Sequence, residues 1–260
     1  TAAREGFCER RVGVTTAYAK SAKIGGAEIV ENCRVLGIRP NSDKTWTVET
    51  EQGDINCEHV VNAGGLWGRE VGRMVGLELP LQAMAHQYLV TEDMPAVKNR
   101  PSDLEWVAHA IDADGECYMR QEVNGMLLGT YEQNGIPWHT DTAPWDFESE
   151  LLPDDLEQIA DNLEVAFKHF PALAEAGIKQ VINGPFTFAP DGNPVVGPVP
   201  GMPGMWLATG VMAGFSQGGG VGRTLAEWMV EGEPSIDVWA MDCARFGDWA
   251  TKTYAQAKVK

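Results

Sequence analysis

Positive charge is scarce in this sequence: 20 Lys and Arg stand against 37 Asp and Glu, a formal net charge of −17. Binding to a phosphate backbone or an anionic membrane surface depends on Lys and Arg displacing counterions, so neither is an expected partner. Long apolar runs are also missing, and the opening TAAREGFCERR has no apolar core that could serve as a signal peptide. The chain therefore reads as intracellular, cytoplasmic or in the mitochondrial matrix. Cysteine is sparse, odd in number and scattered (Cys8, Cys33, Cys57, Cys117, Cys243), with no CxxC pair, which argues against a disulfide framework or a zinc cluster. Free thiols, buried or half-buried, are the expectation. The five histidines show no HxxxH or HExxH spacing, so no metal site is expected. A GxGxxG fingerprint is lacking as well: the pairs Gly218/Gly220 and Gly220/Gly222 have Arg223 and Leu225 where a third glycine would stand. Either the chain is not a dinucleotide enzyme or that turn lies upstream of Thr1.

What is present suits a large core. At 260 residues and 44% hydrophobic, the chain can fold as one large domain or two intermingled ones. Val14, Ala17, Tyr18, Ser21 and Ala22 recur at helical spacing within Val12 to Ile24, and Gly25-Gly26 supplies a stop. The short runs AEIVE, RVLGI, TWTVET and DINC then predict a small antiparallel excursion. His59 to Ala63 reads as a buried strand running into Gly64-Gly65, with a helix from Leu66 to Val75 behind it. From Leu81 to about Phe188 the alternating runs AHQYLVT, CYMRQ and MLLGTYE predict a second sheet, with one helix over Asp154 to Phe170. The chain returns through INGPFTF, the turn Pro190-Asp191-Gly192-Asn193-Pro194 and the strand MWLATG to a Gly-rich block and a helix over Val221 to Val230. There are no internal repeats.

The block GVMAGFSQGGGVGRTLAEWMVEG carries the densest signal. Its glycines let backbone reach a planar ligand, and a helix start presents unpaired N–H groups and the positive end of the helix dipole. Close packing of helix on sheet would use glycine in the same way. Gly214-Phe215-Ser216-Gln217-Gly218 also matches the GxSxG nucleophile elbow, whose acid and histidine follow the serine in the chain. Here the last histidine is His169, upstream of Ser216, which weighs against a hydrolase.

Four stretches, VVNAGGLWGREVGRMVGLELPL, AHQYLVT, NGPFTFAPDGNPVVGP and GGGVGRTLAEWMVEGEP, taken in order and spacing, resemble the dimethylglycine dehydrogenase and sarcosine dehydrogenase family. The likeness runs from about Val12 to Ala257, and the dimethylglycine branch looks nearest through HQYLVT, YMRQEVNGMLLGTYE and RFGDWATKTY. It implies an α/β (α+β) fold: an incomplete Rossmann-like FAD-binding domain interleaved with an antiparallel-sheet substrate domain. The expected division is 1–80 (FAD-binding, fingerprint missing), 81–188 (substrate and catalytic sheet), 189–232 (FAD-binding return) and 233–260 (tail). In such enzymes the FAD domain opens with GxGxxG, and in this branch a nearby histidine attaches the flavin covalently; neither is in this chain, which implies a lost first part. The start also departs from the family, with Glu5-Gly6 and Glu9-Arg10-Arg11 where a DG and DP-type segment would stand. A tetrahydrofolate-binding region would begin beyond Lys260.

By matching position, the resemblance assigns Val35 to the adenine, Ala63, Gly64 and Trp67 to the nucleotide side, and Gly218, Gly219 and Gly220 to the pyrimidine edge of the flavin. Ordinary core packing would equally account for Trp67. Hydride transfer to flavin N5 needs a neutral amine held close to the ring and few protein acids or bases. His86 and Tyr88 share one face of a strand and are the first choice for the substrate pocket, against a plain core His-Tyr pair. Arg120 suits a carboxylate anchor, against a salt bridge to Glu122 or Glu116. The implied activity is FAD-dependent oxidative N-demethylation of a small N-methylated amino acid of the dimethylglycine or sarcosine type. Electrons would leave to oxygen or to an electron-transfer flavoprotein. A non-catalytic relative acting as a regulatory or binding subunit and, more remotely, a serine hydrolase using Ser216 are the alternatives.

Overall fold

The computed structural model describes residues 11–101, 107–148 and 150–259. The departures at Glu5-Gly6 and Glu9-Arg10, and Cys8, lie outside the described residues. The fold is a mixed α/β one with two compact units: residues up to Leu81 with Thr187–Ala255, and Gln82–Phe186 with the residues from Gln256 onward.

In the first unit, helix α1 (Arg11–Ile24) is followed by an antiparallel sheet of β1 (Val35–Pro40), β2 (Trp46–Thr50) and β3 (Gly53–Cys57). AEIVE, expected as a strand, is irregular: Ile29 and Val30 are exposed, and no strand ladder takes up its backbone groups among the described residues. A second sheet, ordered β11-β12-β4, joins β11 (Val195–Pro198), β12 (Met205–Thr209) and β4 (Val60–Asn62). Its strands β12 and β4 are parallel, Met205 lying beside Val60 and Leu207 beside Asn62. Behind β4 a 3-10 turn (Gly65–Trp67) leads into a short helix α2 (Gly68–Arg73), where one helix over Leu66 to Val75 was expected. The core here gathers Ile38, Trp46, Leu79, Leu81, Val195, Met205 and Leu207.

The second unit holds a sheet ordered β10-β5-β8-β7-β6, with β9 (Ile136–Pro137) added to β5. Its strands are β5 (Gln82–Thr91), β6 (Ala110–Asp112), β7 (Cys117–Glu122), β8 (Gly125–Thr130) and β10 (Ile178–Phe188), and α3 (Pro95–Lys98) is a single turn. One face packs Leu89, Cys117, Met119, Met126 and Leu128 against Leu163 and Ala166 of α4 (Ala160–His169). That helix begins six residues later than its apolar period predicts. The buried amide of Gln87 donates to the Asp155 carbonyl at 2.5 Å and accepts its N–H at 3.2 Å, so the backbone groups that would open the helix are already engaged.

The larger correction concerns the Gly-rich block. Helix α5 runs Gly214–Glu231, so the glycines form its first turns rather than a loop before Val221. Glycine within a helix costs about 1 kcal/mol relative to alanine. The cost is offset where Val221 and Leu225 bury against Val196, and Gly232 closes the helix in the left-handed region (φ 87°) with its N–H on the Trp228 carbonyl. The short α6 (Lys252–Lys258) ends the described chain.

Candidate cofactor and substrate sites

Strands β4 and β12 run parallel, so both deliver their following residues to one edge of the sheet, the edge at which open α/β sheets bind ligands. After β4, the 2%-exposed Asn62 organises the turn: its Oδ1 accepts the Gly64 N–H at 3.1 Å and its Nδ2 donates to the Gly68 carbonyl at 2.8 Å. A Cβ on Gly64 would stand 3.1 Å from that Oδ1 and 3.2 Å from the Gly68 nitrogen, so a larger residue would press on the turn and force it to give by a few tenths of an ångström. Ala63 is exposed and Trp67 half-buried. Gly68 in turn approaches Thr209, the last residue of β12, closely enough that a Cβ would sit 2.9 Å from its Cγ2. The turn after β4 and the end of β12 are thus neighbours. Val35 opens β1 and packs on the first unit's core. Asn62 escaped the sequence reading, although an Asn directly before Ala-Gly-Gly is the residue type that folds such turns.

Gly218, Gly219 and Gly220 lie in the first turns of α5, where residues 214–220 are all exposed. A Cβ at Gly214, Gly218, Gly220 or Gly222 would meet no atom within 4 Å among the described residues, and at Gly219 it would meet only the Tyr18 side chain, its hydroxyl at 2.5 Å. Packing of helix on sheet does not account for these glycines. Gly214, Gly218, Gly219 and Gly222 line a cleft of about 550 Å³ with Tyr18 and Phe215, and Gly220 lies outside its lining. The helix starts at Ala213 without a side-chain cap and has no acidic residue in its first turn, which leaves N–H groups and the positive dipole end for an acceptor. Ser216 sits inside the first turn, its hydroxyl donated to the Ala213 carbonyl at 3.0 Å. It does not occupy the sharp strand-to-helix turn of a nucleophile elbow, and the hydrolase reading loses its geometry.

In the second unit, register puts Tyr88 opposite Gly129 and Gly129 opposite Tyr118, so both tyrosines share one face of the sheet. The Tyr118 ring occupies the space a Cβ on Gly129 would need. Arg120, two residues along β7, shares that face, opposite the face on which Met119 and Leu128 pack. On β5, His86 is stacked near Tyr131 (ring centroids 5.7 Å apart) and Phe186 (5.1 Å), and Tyr131 meets Tyr118 at 5.6 Å. His86 Nδ1 stands 3.3 Å from Oε2 of Glu132, whose side chain is 4% exposed. Sequence reasoning missed Tyr118, Tyr131, Phe186 and Glu132, because ring stacking across three strands leaves no local spacing to read. Arg120 is engaged by Glu122, Nη1 to Oε2 at 2.6 Å, and donates to the Gln121 carbonyl at 3.2 Å. Of the two possibilities open in sequence, the ion pair to Glu122 is the contact formed.

The Asp191-Gly192-Asn193 turn is pinned by Arg245, which donates to both Asp191 carboxylate oxygens at 2.7 and 3.0 Å and to the Asn193 carbonyl at 3.0 Å. Burial works to raise the Asp191 pKa, but Arg245 and the Asn193 N–H together outweigh it and leave the carboxyl below its ordinary range.

Comparison with known proteins identifies the class. A family model described as FAD dependent oxidoreductase matches residues 4–228, and an FAD dependent oxidoreductase central domain matches residues 231–260. The chain belongs to the FAD-dependent oxidoreductase family. It is 40% identical over 252 residues to mitochondrial dimethylglycine dehydrogenase of Mus musculus, covering 95% of this chain and 29% of that protein. With mitochondrial sarcosine dehydrogenase of the same organism it shares 36% identity over 240 residues, 90% of this chain and 25% of that one. The chain therefore spans under a third of the length of these relatives. Among solved structures, L-proline dehydrogenase from P. horikoshii superposes with a TM-score of 0.71 at 24% identity, over 90% of this chain and 59% of that one, a likeness of fold.

FAD is the family's cofactor, and the first unit fits it chemically. The exposed Gly-rich start of α5, without a side-chain cap, leaves backbone open to contact and hydrogen-bond donors unclaimed, and the parallel β4 and β12 end at the sheet edge where open α/β sheets bind ligands. No helix among the described residues is long and apolar enough to cross a membrane, and no group of His, Cys, Asp and Glu among them could hold a metal ion.

Proposed function

We propose that the chain contributes the flavin and substrate sites of an enzyme that oxidatively demethylates a small N-methylated amino acid of the dimethylglycine or sarcosine type. The observation that carries the reading is the aromatic-lined sheet face around His86, in a chain 40% identical to a dimethylglycine dehydrogenase. Bound FAD would supply the acceptor for the hydride that leaves the N-methyl carbon. Val35, Ala63, Gly64, Trp67 and the glycines 218, 219 and 220 hold it, Gly64 by way of the Asn62-bridged turn. Tyr88, Tyr118, Tyr131 and Phe186 offer ring faces that suit an N-methyl group and shed water around the reacting nitrogen. His86 supplies a hydrogen-bonding nitrogen to the amine. Arg120 anchors the substrate carboxylate as a second partner beside Glu122, its fork having donors to spare.

Loss of the hydride leaves an iminium, and addition of water releases formaldehyde and the demethylated amine unless tetrahydrofolate on a further domain captures the carbon. Oxygen or an electron-transfer flavoprotein takes the electrons, and the mitochondrial names of the relatives favour the matrix over the cytoplasm. The test is anaerobic mixing of the flavin-loaded protein with dimethylglycine and, separately, sarcosine. Bleaching of the flavin absorbance by either is expected. An oxidised spectrum with both would end the substrate assignment, and failure to retain any FAD would favour a non-catalytic, regulatory relative.

A further inference from the structure

Glu132 has no place in the reading so far, yet it is a carboxylate with a side chain only 4% exposed, facing His86. Burying a carboxylate without partners is strongly unfavourable. Two groups converge on the same Oε2: the Thr130 hydroxyl donates to it at 3.2 Å, and His86 Nδ1 stands 3.3 Å away. Thr130 is itself fully buried. Tyr131 and Phe186 stack on His86 within 27° of its plane, which restrains the plane in which the imidazole lies.

We propose that Glu132 is a positioning residue for His86: it holds the Nδ1–H tautomer, so that Nε2, on the opposite edge of the ring, keeps its lone pair as an acceptor for the substrate's amine. The role attached to Nε2 rests on the proposed N-demethylation, whereas the tautomer does not. An ammonium has no lone pair to release into the departing C–H bond, and the substrate must give up its N–H proton before it can be oxidised. In the Nδ1–H tautomer Nε2 can accept that proton, and the imidazolium formed faces the Glu132 carboxylate, which compensates its charge. The Nε2–H tautomer would present a donor to a donor. Glu132 acts only through His86 and touches no substrate.

The readout is the 15N spectrum of histidine-labelled protein at about pH 9, where imidazoles are neutral. Long-range nitrogen–proton correlations distinguish the two tautomers, and a His86→Gln variant assigns the signals. His86 is expected to carry its proton on Nδ1, and Glu132→Leu is expected to shift it to Nε2, the tautomer free imidazoles prefer. A wild-type His86 protonated on Nε2, or an Nδ1–H form that survives Glu132→Leu, overturns the proposal. The wild-type spectrum decides even if the leucine variant does not fold. In the flavin-loaded protein, Glu132→Leu should lower kcat for amine oxidation on the order of tenfold or more with little change in KM, as loss of a general base's correct form would. An Nδ1–H spectrum together with a flavin that neither N-methyl amino acid bleaches would sink the substrate reading and leave the positioning role standing.

Discussion

At the scale of single residues, the glycines divide into those that packing demands and those it does not. Gly129 belongs to the first kind, since the Tyr118 ring lies over its Cα on the aromatic face of the sheet. Gly129→Ala should displace that ring and destabilise the fold by about 1–3 kcal/mol, as overpacking does. Chemical denaturation measures the loss, and a change under about 0.5 kcal/mol, the scale of an innocuous surface substitution, would show that Tyr118 does not rest there. His86, Tyr88 and Arg120 were visible in sequence because each is a polar or aromatic side chain at an alternating strand position. The partners of His86 were not, because Glu132 and the flanking rings meet it only through sheet pairing and side-chain rotamers. For Arg120 the spacing offered Glu122 and Glu116, and Glu122 is the one engaged.

At the scale of elements, α5 shows how far apolar periodicity reaches. The period from Val221 onward announced a helix, but the Gly-rich start was indistinguishable from a loop because glycine has no side chain to contribute to a pattern. The far end of the helix has its own lock. Glu227 receives the Ser235 hydroxyl at 2.5 Å, the Arg223 guanidinium at 2.7 Å and the Ser235 N–H at 3.1 Å, and these bonds hold its carboxyl down to about 2. A carboxyl whose folded pKa is depressed contributes stability above its unfolded value, here 4.5, and loses it as pH falls toward the folded one, about 2. The unfolding midpoint of Glu227→Gln should lie below that of the parent near neutral pH, and the gap should close between about pH 4.5 and pH 2. A gap that stays constant across that range would mean the carboxylate's charge plays no part. Helix α4 carries the opposite lesson: its apolar face was legible, but its start was set by the Gln87 side chain, distant in sequence.

At the scale of the whole molecule, a ligand that binds only the folded state raises stability by mass action, so FAD should raise the unfolding temperature of the protein it loads. Gly218 makes the cofactor's part separable from that of the fold. Its Cβ position is open, so Gly218→Ala should stabilise the flavin-free protein by up to about 1 kcal/mol through helix propensity while reducing FAD retention and the FAD-induced rise in Tm. Undiminished FAD retention in the alanine variant would show that the bare helix face does not meet the cofactor.

The sequence by itself determined the acidic balance, the alternating strands of the second unit and the likeness that set the family. These are properties of composition and of local order, which survive without coordinates. Only the tertiary structure decided that the Gly-rich block is helix with open space before it, that Arg120 is engaged by Glu122, and that a buried Glu132 faces His86. The Glu132–His86 contact depends on which strands pair and which side chains then share one desolvated space. The helical start rests on backbone that glycine leaves unmarked, and the Arg120–Glu122 contact on rotamers that a two-residue spacing permits without fixing.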